Sequence, residues 1–246
     1  MAEPGRVAVV TGAARGIGRA AATALLRDGL TVVGLDLDAA RLAETAGALG
    51  GSFRPLIADL TDPAAVDEVF ATVAREHGGL DALVNNAGTC FMSEFVDTPA
   101  EELRAQLAVN FESAFMCCQR AVPLMLPRPG VKKIVNVSSN GAYNFEVFDP
   151  AHYRASKAAL DTLTKHLARR YARERIAVNS VAPAMTRTDL FDVVEPEVLE
   201  EALAAMPRGA PMEPHEIAAW IAFLVSPAGD CCSGNVIVLN QGRDVR

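Results

Sequence analysis

Val7-Ala8-Val9-Val10-Thr11-Gly12-Ala13-Ala14-Arg15-Gly16-Ile17-Gly18 is the stretch that decides how the chain is read. Its first four residues form an uncharged run of the strand type. Gly12, Gly16 and Gly18 then allow a tight turn and let the backbone approach an anion closely. Beyond them Ile17, Ala20, Ala21, Ala24 and Leu25 repeat at helical spacing and give one apolar face. Gly29 lies just past the end of that pattern, where a helix stop is expected. The free N–H groups at the start of such a helix point at whatever anion the turn holds. The spacing is Gly-x-x-x-Gly-x-Gly, and the glycines carry weight only through this strand-turn-helix context. Together the three parts read as a cradle for the pyrophosphate of a dinucleotide.

The next strand candidate, Thr31–Leu35, runs into Asp36 and Leu37. Asp36 lies 18 residues beyond Gly18, close to the roughly 20 expected for an acid that bonds the adenosine ribose hydroxyls. A carboxylate there repels a 2′-phosphate, so the pattern favours NAD over NADP. Asp36 as the N-cap of the second helix is the plain alternative, and one residue can do both. Arg15 pulls the other way, since a guanidinium suits a 2′-phosphate. Asp36 is taken to decide, because of its place at the strand end.

Outward from this unit, short apolar runs alternate with helical patterns: Phe53–Ile57, Ala82–Val84, Lys133–Val137, Ala177–Val181 and Val236–Leu239 are the further strands. Helices are expected after Asp36, from Thr61-Asp62-Pro63, from Thr98-Pro99 to as far as Met125, and over Tyr153 to Tyr171. This alternation predicts an α/β fold, a doubly wound parallel sheet of about seven strands, in one domain spanning 1–246. From Pro183 to Pro214 the alternation breaks, and five prolines punctuate apolar residues such as Leu190, Phe191 and Val194. A helical substrate lid over about 184–214 is the preferred reading, and surface elaboration the other.

Composition narrows the partners. Half of the 246 residues are apolar and 22% are charged, ordinary for a globular chain. The net charge of −7 speaks against a grip on nucleic acid or anionic membrane. No uncharged stretch exceeds 13 residues (Ile217 to Gly229), too short to span a bilayer. No signal peptide is read at the start. Five cysteines without ligand spacing and four scattered histidines suggest no metal site and a reduced, cytoplasmic setting.

Further motifs follow in order: Asp59-Leu60, Asn85-Asn86-Ala87-Gly88, Asn110, Ser138-Ser139, Tyr153-x-x-x-Lys157, and Asn179 to Pro183 followed by Thr188-Asp189. With the glycine turn they resemble the short-chain dehydrogenase/reductase family of about 250 residues, over nearly the whole chain. The resemblance implies an extended Rossmann fold and a homotetramer. It implies cofactor contacts from the turn residues Gly12, Arg15, Gly16, Ile17 and Gly18, from Asp59 and Leu60, and from Asn86, Ala87 and Gly88. Pro183, Thr186 and Thr188 follow at the nicotinamide or diphosphate. It implies a catalytic set of Asn110, Ser139, Tyr153 and Lys157, the last two also touching the cofactor. Asn110 would bend its helix and anchor a relay water.

The residues support that chemistry. A free tyrosine, with a pKa of about 10, is a poor base near neutrality. A lysine four residues along the same helix projects from the same face and favours the phenolate. Ser139 precedes Tyr153 by 14 residues, against 13 usual in the family, which would place Asn140 at the serine position. The strand Ile134–Val137 running into Ser138-Ser139 favours Ser139 with one residue inserted in the loop from Ala142 to His152, and Ser138 is the runner-up.

Thr89 to Met92, Asn140 to Phe148 and the lid should bound the substrate. Phe91, Met92, Tyr143, Phe145 and Phe148 mix there with Asn140, Asn144 and Glu146, and His152 either lines the pocket or lies in a solvated loop. A mid-sized, partly polar secondary alcohol or ketone fits: a hydroxy acid, a sugar or polyol derivative, or a cyclic alcohol. A 3-oxoacyl-carrier-protein reductase is the alternative, disfavoured by Asp36 because those enzymes usually prefer NADP. A non-catalytic NAD-binding sensor or scaffold is the alternative of another class. Two departures from the family pattern are Pro183-Ala184 in place of Pro-Gly and Asn240-Gln241-Gly242-Arg243 in place of Asp-Gly-Gly. Cys117-Cys118 and Cys231-Cys232 read as packing, and the apolar run Ala218 to Val225 with Trp220 as core or subunit interface.

Overall fold

A computed structural model describes residues 5–144 and 150–243. Seven parallel strands form one sheet in the order β3-β2-β1-β4-β5-β6-β7. They are β1 (Val7–Thr11), β2 (Thr31–Asp36), β3 (Phe53–Ile57), β4 (Ala82–Asn85), β5 (Lys132–Val137), β6 (Ile176–Pro183) and β7 (Val236–Leu239). All seven expected strands are present. β6 is the one that outruns its expected bounds most, ending on Pro183, a residue that a strand tolerates at its end.

The strands are held in one register by their apolar alternation. Val9 pairs with Val33 on one side and with Leu83 on the other. Ala8 and Val10 face a core layer built with Ala21 and Leu25 of α1 (Gly16–Arg27) and Ile217 and Ile221 of α8 (Pro214–Val225). Val7 and Val9 face the other layer, with Val66, Phe70 and Val73 of α3 (Pro63–His77) and Cys117, Cys118 and Met125 of α5 (Ser113–Met125). Apolar side chains therefore cover both faces, as a parallel sheet requires.

Local signals set the helix ends. Asp62 accepts from the Ala64 N–H at 2.9 Å and Pro63 opens α3. Helix α2 (Ala39–Leu49) is capped by Asp38, which accepts from the Arg41 N–H at 3.0 Å. Asp36 is therefore not its N-cap. The long helix expected from Pro99 to Met125 is broken in a specific way: α4 (Ala100–Leu107) passes into a π-turn at Ala108–Glu112 before α5 begins. Helix α6 (Ala151–Arg170) carries the Tyr-x-x-x-Lys motif.

The order of strands reverses between β1 and β4, and a crevice opens there at their carboxyl ends. The segment after β6 crosses it. Its base is stitched by Met212 N–H to Met185 O and Arg187 N–H to Met212 O, each 2.8 Å. A 3-10 turn (Asp189–Val193) and α7 (Pro196–Ala204) follow. No helix among the described residues is long and apolar enough to cross a membrane.

Candidate active site

The crevice holds a cavity of about 400 Å³. Gly12, Arg15, Gly16 and Ile17 form one wall. Gly12 has φ +64°, and a Cβ there would lie 2.8 Å from Asn86 Nδ2. Gly18 stands behind the wall, where a Cβ would come within 1.9 Å of the Gly12 carbonyl oxygen, so the turn closes only around glycine. Thr11 Oγ1 accepts from the N–H groups of Asn86 and Ala87, both at 2.9 Å. The Asn86 side-chain amide donates back to the Thr11 and Gly12 carbonyls. These bonds lock the Asn86-Ala87-Gly88 turn against the glycine turn.

Asp36 and Leu37 line the same cavity with Asp59 and Leu60. The two Asp36 carboxylate oxygens accept from the N–H groups of Ala14 and Asp38, each at 3.0 Å. This anchors the carboxylate at the strand end, beside the turn. Asp59 accepts from the Thr61 hydroxyl and N–H, which holds its carboxyl below the usual range.

The other wall belongs to β5, α6 and the end of β6. Ser138, Ser139, Tyr153 and Lys157 line it, with Pro183, Thr186 and Thr188. Lys157 Nζ donates to the Val137 carbonyl at 2.9 Å and lies 5.8 Å from the centre of the Tyr153 ring. Burial pushes the Lys157 ammonium down to about 8, opposed by Asp161 and Cys90. Ser138 Oγ donates to Asp161 at 2.8 Å and lies 3.3 Å from the Lys157 carbonyl, so its proton is committed inside the protein. Ser139 Oγ accepts from the Gly141 N–H at 3.0 Å, and its own proton has no acceptor among the described residues. A hydroxyl donor, a phenol and an ammonium thus share one cavity, an arrangement able to hold an oxygen and move its proton.

Asn110 lies behind this wall. Its amide accepts from the Thr89 N–H at 2.8 Å and donates to the Thr89 carbonyl and to Ser156 Oγ. It pins the Gly88-Thr89 turn to the π-turn and to α6. Residues 12–244 match the family model described as enoyl-(acyl carrier protein) reductase.

The chain belongs to the short-chain dehydrogenase/reductase family. The 3-oxoacyl-(acyl-carrier-protein) reductase of Thermotoga maritima is 34% identical over 242 residues, 97% of each chain. Two solved structures superpose along nearly their whole length. A 3-ketoacyl-(acyl-carrier-protein) reductase of Brucella melitensis complexed with NADH has a TM-score of 0.91 at 27% identity, covering 98% of this chain and 99% of that one. An active-site complex of RhlG with NADP from Pseudomonas aeruginosa has a TM-score of 0.90 at 31% identity, covering 98% and 97%.

Within this short-chain dehydrogenase/reductase scaffold the substrate side differs from the sequence expectation. Thr89, Cys90, Met92, Asn140 and Gly141 line the cavity, and Leu190, Phe191 and Val194 enter from the segment after β6. Phe91, Tyr143, Asn144 and His152 stand outside the wall. Phe145, Glu146 and Phe148 lie outside the described residues. His152 is neither pocket nor solvated loop. It is buried at the start of α6, with Nε2 3.2 Å from Glu102 Oε1 of α4. Among the described residues no group of three or more His, Cys, Asp or Glu could hold a metal. Burial pushes both Cys117 and Cys118 up, the latter to about 12, so these thiols pack as neutral groups.

Three residues were not singled out from the sequence. Asp161 lies one helical turn beyond Lys157, a spacing that could have flagged it, and it accepts from Ser138 and from the Tyr143 hydroxyl. Arg41 of α2 pairs with Asp189, a residue quoted only as part of a motif. Arg243 lines the cavity with its Nη1 buried and without a hydrogen-bond partner among the described residues. No local pattern announces it, because only the tertiary fold brings residue 243 to the cavity.

Proposed function

We propose that this chain interconverts a ketone and a secondary alcohol with NAD(H), and that the ketone is of the 3-oxoacyl kind. The observation that carries the reaction class is the convergence of Ser139, Tyr153 and Lys157 on the cavity that also contains the glycine cradle. Bound nicotinamide supplies the hydride carrier. Ser139 donates to the substrate oxygen, Tyr153 exchanges its proton with that oxygen, and Lys157 stabilises the phenolate and orients the ring beside it. Asn110 holds the turn that faces Lys157. The segment 184–214 acts as the lid, since Leu190, Phe191 and Val194 close the substrate side.

Relatives described as 3-oxoacyl-carrier-protein reductases favour that substrate over sugars, polyols and cyclic alcohols. Asp36 supports NAD(H), and the Brucella melitensis relative complexed with NADH is consistent with it. A second reading, a free hydroxy acid, is favoured by Arg243, whose buried Nη1, without a partner among the described residues, suits a carboxylate. The test is a panel of 3-oxoacyl thioesters, 3-hydroxy acids and other secondary alcohols with NADH and NADPH, followed by nicotinamide absorbance. Turnover of 3-oxoacyl thioesters with NADH supports the proposal. Turnover of free acids alone supports the second reading. Silence across the panel, with cofactor still bound, supports a non-catalytic binding module.

Two exposed apolar faces support a homotetramer. Leu103 and Phe115 are exposed along α4 and α5, and Trp220 and Phe223 form an exposed aromatic pair on α8. The net charge of −7 supports a small-molecule partner in a cytoplasmic setting, with neither nucleic acid nor membrane.

A further inference from the structure

Asp189, on the lid, reaches back across the cavity to the cofactor side. Its Oδ2 lies 2.6 Å from Arg15 Nη1 and also pairs with Arg41 Nη1. Arg15 sits between the glycines, and Arg41 lies in the first turn of α2, where its Nε is 3.5 Å from Asp38. The two guanidinium groups therefore flank the end of β2, where Asp36 stands. Arg15, Asp36, Leu37 and Asp189 line one cavity. The two arginine bonds hold the Asp189 carboxyl well below the usual range, so it is an anion at neutral pH.

Two arginines at the ribose end of a dinucleotide site are what a 2′-phosphate seeks, because each offers a fork of donors to phosphate oxygens. Here each guanidinium gives its Nη1 to the same oxygen, Asp189 Oδ2, and of the two only Arg15 lines the cavity. The charged groups that face this corner are Arg15, Arg41, Asp36, Asp38, Asp189 and, more remotely, Glu44. They leave it net negative. A 2′-phosphate must compete with Asp189 for both arginines and sit as a near-dianion among three carboxylates. A cofactor without that phosphate leaves the pairs intact and the lid tied to the cofactor wall.

We propose that Asp189 is a specificity-determining residue that excludes NADP by occupying Arg15 and Arg41, acting beside Asp36. The proposal rests on the NAD(H) reading above. It places part of the cofactor choice on the substrate lid, 174 residues from Arg15 in sequence.

Isothermal titration of the full chain with NAD and with NADP tests this without reference to turnover. Exposed ion pairs add little to stability, so Asp189→Asn and Asp189→Ala should fold as the wild type does. Both should bind NADP at least about tenfold more tightly and change NAD affinity by less than about threefold, as expected when one unit charge leaves a half-exposed corner. Arg41→Gln added to Asp189→Ala should remove the gain. An unchanged NADP affinity, or an equal loss for both cofactors, overturns the role of Asp189 while leaving the NAD preference standing. A wild type that binds NADP more tightly than NAD, or binds neither, overturns the NAD(H) reading and this proposal with it.

Discussion

Lys157 is held in the core as a cation at a site that burial makes unfavourable for charge. The tension has a measurable signature. The folded protein holds the Lys157 proton only up to about pH 8, whereas the unfolded chain holds it to its ordinary 10.5. The penalty on folding is therefore complete below pH 8 and disappears as pH rises to 10.5, because the unfolded state binds the extra proton in that window. Lys157→Met should raise stability at pH 7 by on the order of 2 kcal/mol and lose that advantage above pH 10. Urea midpoints measured from pH 6 to 10.5 check it, and a pH-independent difference would sink it. The same substitution should remove turnover, so this position trades stability for chemistry. Tyr153→Phe separates the two more cleanly. It deletes one proton-bearing oxygen and should lower kcat by about 10²- to 10⁴-fold while NADH affinity stays within about threefold. A variant that keeps wild-type turnover would remove Tyr153 from its proposed role.

At the scale of elements, the π-turn between α4 and α5 is the piece the sequence disclosed least. Apolar spacing runs through Ala108–Glu112 without interruption, and a π-turn adds a residue that a 3.6-residue period does not register. Only the place of Asn110 in a known motif hinted at a bend. The strands were legible for the opposite reason. Runs such as Thr31–Leu35 and Val236–Leu239 are short, apolar and bounded by turn residues, so little else competes for them. The geometry explains why the bend is kept: it brings the Asn110 amide onto both backbone groups of Thr89 and onto Ser156. Asn110→Leu should leave those buried groups unpaired and cost about 2 to 4 kcal/mol of stability. The larger effect should be on kcat, through loss of the turn that faces Lys157. Restoration by Asn110→Gln of stability but not of kcat would locate the role in positioning; loss of stability with kcat unchanged would make Asn110 purely structural.

The whole molecule assembles its site from residues far apart in sequence, and this limits what any local pattern discloses. Gly12, Asp36, Asn86 and Ser139 were readable because each stands at or just past a strand end, and Tyr153 and Lys157 because their spacing puts them on one helix face. Arg243 and the Arg15–Asp189 pair were not, since neither partner signals the other. The outer surface poses the same kind of question, because what its apolar faces cover is decided by assembly. Trp220 is 43% exposed and Phe223 40%, and their rings meet edge to face at 6.1 Å, a fixed apolar ridge on α8. Leu103 and Phe115 are similarly exposed on α4 and α5. Isolated apolar residues on a surface need no explanation, but a rigid, exposed aromatic pair is an aggregation hazard unless something covers it. Two distinct faces of this kind, each pairing with its own copy, generate a tetramer with dihedral symmetry. Charging one face should therefore stop assembly halfway. Trp220→Glu with Phe223→Glu should give dimers by light scattering after size exclusion, and Leu103→Glu with Phe115→Glu should give dimers of the other kind. All four together should give a monomer that retains the fold by circular dichroism. A wild type that is monomeric at micromolar concentration would refute the assembly, and the exposed ridge would then require a different partner.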